Sequence, residues 1–326
     1  MGKGDVTRTP ATVDYRSGNL PDWIREAIDT QLAIDAEDAK RAGQIGYMCR
    51  ALVVASMPYK DPKTDAFIRK NGDFKLRIVA GYEGGVPYGI YPRLLMSWVS
   101  SEAVRRQSPV IELGDTLAVF LKDILDLRGV GGGPRGSATR VADQMKRLFG
   151  SLITANYEGN QSQCGFVLKN VLIADELQLD DSNLGNLWTP QPAMEAGKWK
   201  SHVKLTNNFF QECITNPVPI DLRAYKALRS SPLAMDIYSW LTYRMSYTYK
   251  TTKPIRWEPL MMQFGSNYSS DIDQSVRDFK KAFLRALQAV LLVYPQANVN
   301  VTDTGLVLQP SPTHVPKHIQ SDLFDY

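Results

Sequence analysis

The chain has 326 residues, of which 44% are hydrophobic and 22% charged, and its net charge is +4. This is the balance of an ordinary globular chain long enough for two cores; it excludes collagen-like and low-complexity classes. The mild cationic excess permits a nucleic-acid partner without demanding one, so the placement of the charge has to decide.

Cysteine usage points to a reducing compartment. Cys49, Cys164 and Cys213 lie far apart in an odd set with no zinc spacing. A cytoplasmic protein is expected, with no metal site. Residues 1–20 are polar without an apolar core, and are expected to be a disordered tail rather than a signal peptide. No window approaches the roughly 18 apolar residues of a membrane span, so no membrane partner is expected.

Residues 21–73 read as an N-terminal helical extension. Two helices are expected within 20–56, the first capped by Asp22, with Trp23, Ala27 and Ile28 on one face. The prolines of "MPYKDPKTD" end that pattern. A first domain is expected over 74–177. It opens with the alternating "FKLRIVAGY", a strand. A helix with Leu94, Leu95, Trp98 and Val99 inward follows, then one capped by Asp115, a glycine-rich hinge, a helix over 137–149 and a β-hairpin around "GNQS".

Residues 178–205 are polar, with glycine and proline, and read as a linker or wing extension. The element order then recurs over 206–312. Short helices are expected at "DLRAYKALR" and "WEPLMMQFG", and a long one with Pro232 in its first turn. The amphipathic helix 272–293 follows, and the strands of "NVNVTDTGLVLQPS" turn at 302–305. Residues 313–326 read as a C-terminal tail. The expected fold is α+β, mainly α with small β-hairpins, as tandem winged-helix domains.

The stretch "RGVGGGPRGSATRVADQMKRLF" raises the question of a phosphate loop. Gly131 and Gly136 have the spacing of such a loop, but Ser137 follows Gly136 directly where a lysine is needed, and no strand feeds the loop. As a hinge the segment is consistent: Ser137 can cap the next helix, and Val141, Met145 and Leu148 face inward at spacings of four and three. No cofactor is expected.

Arg140, Gln144 and Arg147 recur on another face of that helix, with Lys146 at its flank and Arg135 and Ser137 at its start. Helix 272–293 is more informative. Val276, Phe279, Phe283, Leu287 and Val290 form its apolar stripe. Opposite run Gln274, Arg277, Lys281, Arg285 and Gln288, with Lys280 nearby, a face read here as free of acid. Solvated helices usually mix signs. Each of these helices precedes an expected hairpin, the order in which a last helix enters the major groove. These twelve residues are the expected contacts to double-stranded DNA, through phosphates or base edges.

Signals for chemistry are weak. His314 and His318 are separated by Pro316, so they cannot share a helical metal face, and both fall in the expected tail. Asp22, Asp61 and Lys63 loosely match a nuclease core but sit in a helix start and a proline turn. No enzymatic activity is expected. The aromatics of "DIYSWLTYRMSYTY" suggest a stacking platform for single strands, but Trp240 has core spacing, leaving Tyr247 and Tyr249 as the exposed candidates.

The segments "YGIYPRLLMSWVSSEAVRRQS", "IELGDTLAVFLKDI", "GSATRVADQMKRLF", "PIDLRAYKALRSSPLAMDIYSWLTYRMSY", "DFKKAFLRALQAVLLVYP" and "GLVLQPS" together resemble the plasmid-encoded replication initiators of the RepA type, found on IncW and related plasmids. The resemblance covers roughly residues 75–312. It implies binding to repeated origin sites (iterons), melting of the adjacent duplex, recruitment of the host initiator and replicative helicase, and a homodimer that represses while the monomer initiates. From the residues alone, a winged-helix transcriptional regulator bound to an operator remains open.

Overall fold

The computed structural model describes residues 22–113, 136–157, 171–178, 202–265 and 273–315. The expected tail 1–20, Asp115 and its helix, Arg135 with most of the glycine run, the "GNQS" turn, Cys164, most of 178–205 and His318 lie outside the described residues.

The described chain runs α1 (Asp22–Ala36), β1 (Ile45–Cys49), α2 (Arg50–Val54), β2 (Ala66–Asn71), β3 (Phe74–Ala80), α3 (Ile90–Arg106), β4 (Val110–Glu112), α4 (Ser137–Phe149), β5 (Ser151–Tyr157), β6 (Val171–Leu172), β7 (Ala174–Gln178) and β8 (His202–Leu205). It continues through α5 (Asn207–Thr215), β9 (Pro217–Asp221), α6 (Leu222–Ala227), α7 (Pro232–Met245), β10 (Ile255–Arg256), α8 (Trp257–Phe264), α9 (Asp273–Val293), β11 (Val299–Val301) and β12 (Gly305–Leu308). The class is α+β. The chain divides into a continuous unit, residues 47–217, and a unit made of residues 1–46 and 218–326.

In the continuous unit β2, β3, β5 and β6 form an antiparallel sheet in that order. Alternation along β3 sends Phe74, Leu76 and Ile78 into the core and Arg77 outward. Core burial surrounds α3: Pro92 to Val104 are all buried, including the residues expected to face inward. Arg93 is fully buried, and its guanidinium donates to the carbonyls of Met57 at 2.7 Å, Gly89 at 2.6 Å and Pro58 at 3.2 Å. The "MPYKDPKTD" break is therefore pinned to α3 by a charge whose donors find backbone acceptors. Helix α4 buries Val141, Met145 and Leu148 as its spacing requires.

Three local expectations change here. "IGYMC" is a strand, not part of a second helix; a Cβ on Gly46 would meet the Leu222 side chain at 2.3 Å, so the glycine marks a close approach. Strand β2 was not foreseen, although Asn71–Gly72 is a hairpin signal; the turn closes at Gly72 with φ +58°. Helix α5 was also missed. Thr206 caps it by accepting the Phe209 N–H at 3.2 Å.

The discontinuous unit is built on α7, capped by the Ser231 side chain with Pro232 at its first position, and on α9. Trp257 and Phe264 of α8 meet Phe283 of α9 edge to face, and Phe279 packs on Phe283 at a tilt within α9. Strands β10, β12 and β11 form an antiparallel sheet, and Ile255 O passes so close to Gly305 that a Cβ there has no room. Helix α1 packs on α6 and α9. Arg223 donates to the carbonyls of Ala33 and Glu37, and Arg229 pairs with Glu26 at 3.1 Å. The expected extension 21–73 is thus not one piece, because α1 is fixed by partners nearly two hundred residues away. The second expected domain likewise loses its first segment, since α5 belongs to the continuous unit.

The expected C-terminal tail is ordered at its start. His314 stacks on Tyr294 with ring centroids 4.6 Å apart and hydrogen-bonds Tyr238 Oη at 2.6 Å; Val315 is buried. Burial holds the imidazole neutral, lowering its pKa to about 4. Spacing and flanking prolines do not reveal a histidine held by residues so distant in sequence.

Candidate nucleic-acid interface

Helix α4 begins at Ser137, and the cap position expected for Ser137 is taken by Gly136. Arg140 is exposed, with its guanidinium 5.8 Å from the Tyr91 ring centroid. The rest of the expected face turns inward. Gln144 is 4% exposed; its amide oxygen accepts the Tyr88 N–H and its amide nitrogen donates to Asp143 at 3.2 Å. Arg147, with 12% of its side chain exposed, donates to Asp143 at 2.8 Å and lies over the Tyr88 ring at 5.2 Å. Lys146 is half-buried with Nζ 6.0 Å from the Tyr82 ring centroid. The expected trio is therefore corrected to one available cation, Arg140. Two polar residues at helical spacing look like a solvent face until Tyr88 and Asp143 claim their hydrogen bonds.

Helix α9 keeps its face open. Arg277, Lys281, Arg285 and Gln288 are all exposed, opposite the buried Phe279, Phe283, Leu287 and Val290. Val276, at the end of the stripe, is half-buried. None of the three cations makes an ion pair among the described residues. With one residue in four, they span about 12 Å along the axis, comparable to the width of the major groove. Two expectations are refined. The face is not free of acid, because Gln274 donates to Asp278 one turn on at 2.9 Å. Lys280 is half-buried, with Nζ 5.0 Å from the Trp257 ring centroid, and so belongs to the packing as much as to the surface. The β11–β12 hairpin follows α9 and turns at 302–305 as expected, pairing Val299 with Leu308 and Val301 with Leu306.

Trp240 is buried against Phe264, while Tyr247 is 42% and Tyr249 76% exposed. Arg244 donates to Tyr247 Oη at 3.0 Å and Tyr243 meets Tyr247 edge on, so part of this aromatic group is held by its own neighbours. No cluster of three metal-ligating side chains occurs among the described residues, and none of the described helices is long and apolar enough to cross a membrane.

Chemistry that spacing could not reveal lies inside the continuous unit. Cys49 and Cys213 are free and buried, and Cys213 Sγ lies 3.7 Å from Ser100 Oγ. Hydrogen bonding to Cys49 and burial push the Cys213 thiol well up, which makes it inert as a nucleophile. Beside it, burial raises Glu212 to about 7 against the opposing pull of Arg50, whose Nε stands 3.8 Å from Glu212 Oε1.

Residues 86–258, just over half of the chain, match the family described as plasmid encoded RepA protein. No curated protein sequence matches the chain. Among solved structures, domains 2 and 3 of RctB are similar, with a TM-score of 0.43 and 13% sequence identity over 80% of this chain and 98% of that one.

Proposed function

The chain belongs to the plasmid encoded RepA protein family, and on that premise we propose that it is a plasmid replication initiator that binds repeated double-stranded sites at its origin. The observation that carries the reading is the cationic ridge of α9, where Arg277, Lys281 and Arg285 stand exposed on a helix whose other side is anchored in an aromatic core. A rigid helix presenting long donors at one-turn intervals is suited to the major groove, where arginine pairs with guanine and glutamine with adenine.

In this reading each half is a module of winged-helix type. The second reads the site through α9, with Gln274 and Gln288 at its ends and the β11–β12 hairpin beside it. The first contributes Arg140. The protein acts by binding, with no catalytic step and no cofactor. Distortion of A·T-rich DNA next to the sites aids opening. The host initiator and replicative helicase are the further partners, and a homodimer is the repressing form.

Footprinting of the full chain on its own plasmid, at two salt concentrations, tests the proposal. Protection of several evenly spaced direct repeats beside an A·T-rich stretch is the expected result. Protection of a single palindrome at a promoter would instead make this a transcriptional regulator; cleavage of labelled origin DNA with magnesium would make it an enzyme.

A further inference from the structure

The continuous unit has a second cationic surface, on the outer face of its sheet. In register, Lys70 of β2 stands directly opposite Lys75 of β3, and Ile68 opposite Arg77. Arg77 lies two residues beyond Lys75 on the same face of β3, and its own neighbour across β5 is Thr154. Lys70 and Arg77 are exposed, Lys75 is half-buried and Ile68 is 50% exposed. The remaining paired row of this face is Ala66, Val79, Leu152 and Leu172, so no paired position among these carries an acid. Lys70, Lys75 and Arg77 make no ion pair among the described residues.

Like charges directly opposite each other in a sheet, with Cβ atoms about 5 Å apart, are destabilising unless an anion meets them. Here they are held in place by a two-residue turn at Gly72 and by the burial of Phe67, Phe74, Leu76 and Ile78 on the other face. The repulsion is therefore built into a rigid element and is not relieved by a carboxylate on the face. Spacings of about 5 Å across the strands and about 7 Å along them set three cations in reach of successive phosphates.

We propose that this sheet face, with Lys70, Lys75 and Arg77, binds the phosphodiester backbone of duplex DNA without regard to sequence. The inference rests on the proposed DNA-binding function and deepens it. Because Gln144 and Arg147 of α4 are committed inside the fold, the sheet rather than that helix supplies most of this unit's grip on DNA.

The test uses the full chain, a labelled duplex of arbitrary sequence, and fluorescence anisotropy over a salt series. The K70A/K75A/R77A variant is expected to bind roughly tenfold or more weakly at low salt, and its log–log salt slope to be shallower by about 2–3, as fits the loss of two or three phosphate contacts. The charge-preserving K70R/K75R/R77K variant is expected to bind like the wild type. These side chains reach solvent and repel one another, so a thermal midpoint no lower than that of the wild type checks the fold of each variant.

Unchanged affinity and slope in the alanine variant overturn the inference. If R277A/K281A/R285A weakens binding in the same assay while the sheet variant does not, the α9 reading stands and this one alone falls. If the wild-type chain fails to bind this arbitrary duplex, the sheet inference falls, and the α9 reading is decided by the footprint on the origin. Loss of plasmid maintenance with unchanged duplex affinity also overturns it, and assigns the face to an acidic protein partner.

Discussion

The side-chain amide of Gln144 accepts the backbone N–H of Tyr88 at 2.9 Å, joining α4 to the segment that leads into α3. A residue that appears in sequence as a candidate base reader thus acts as a structural acceptor. Gln144→Ala leaves a part-buried N–H without its partner, and is expected to lower stability by about 1–3 kcal/mol in urea unfolding. Duplex affinity, measured where both proteins are folded, is expected to stay within twofold. A changed sequence preference at unchanged stability would return Gln144 to the DNA-reading face.

On α9 the expectation is reversed. Arg277→Ala, Lys281→Ala and Arg285→Ala are each expected to leave the thermal midpoint nearly unchanged, as exposed substitutions do. A variant that loses a bidentate base contact is expected to lose about 1–3 kcal/mol of discrimination at one position of the site. One that loses a phosphate contact weakens all sequences alike and reduces the salt slope by about one. Binding-site selection with each variant separates the two. Lys280→Ala is expected to cost stability instead, by about 0.5–1 kcal/mol, through its contact with Trp257.

Glu212 gives a pH dependence with a definite sign. Its folded-state value of about 7 lies above the ordinary glutamate value of 4.5, so between those limits the folded chain holds a proton that the unfolded chain has released. Stability from this group is full below about pH 4.5, falls as pH rises towards 7, and is level above. Glu212→Gln, which mimics the protonated form, is expected to remove this slope. The readout is the difference between variant and wild-type unfolding profiles from pH 4.5 to 7.5, in which other groups, His314 among them, cancel. Parallel profiles would show that Arg50 keeps Glu212 ionised throughout.

Tyr238 Oη accepts the Asp221 N–H at 3.0 Å and hydrogen-bonds His314 Nδ1 at 2.6 Å. Tyr238→Phe fills the same space but leaves the buried Asp221 N–H orphaned, and is expected to cost about 1–3 kcal/mol. It is also expected to loosen residues 313–315, which limited proteolysis would detect as faster cleavage near Val315. Equal cleavage of both proteins would show that ring stacking with Tyr294 suffices to hold the segment.

What the sequence made legible was local. The α9 stripe, Pro232 in the first turn of α7 and the strand pair after α9 follow from spacing and helix-start chemistry, and each occurs as expected. Asp278, one turn after Gln274, is equally local and places an acid on the same face. Gln144, Arg147 and His314 are different, because the groups that decide their roles are brought in by tertiary packing: Tyr88 lies 56 residues from Gln144, and Tyr238 lies 76 from His314. The Lys70–Lys75 pair follows from β2, which the two-residue Gly72–Asp73 turn joins to β3.

The nesting of one unit within the other sets an order of assembly during synthesis. Residues 47–217 form their unit from one continuous stretch, so it can begin to close before the rest of the chain is made. Helix α1, made first, has to wait for α6 and α9; the partner of Glu37 is encoded 186 residues later. Such distant pairing makes the outer unit the slower of the two to form. A nascent chain arrested before α6 therefore carries α1 without either of its helix partners, a species that ribosome-bound chaperones would be expected to hold.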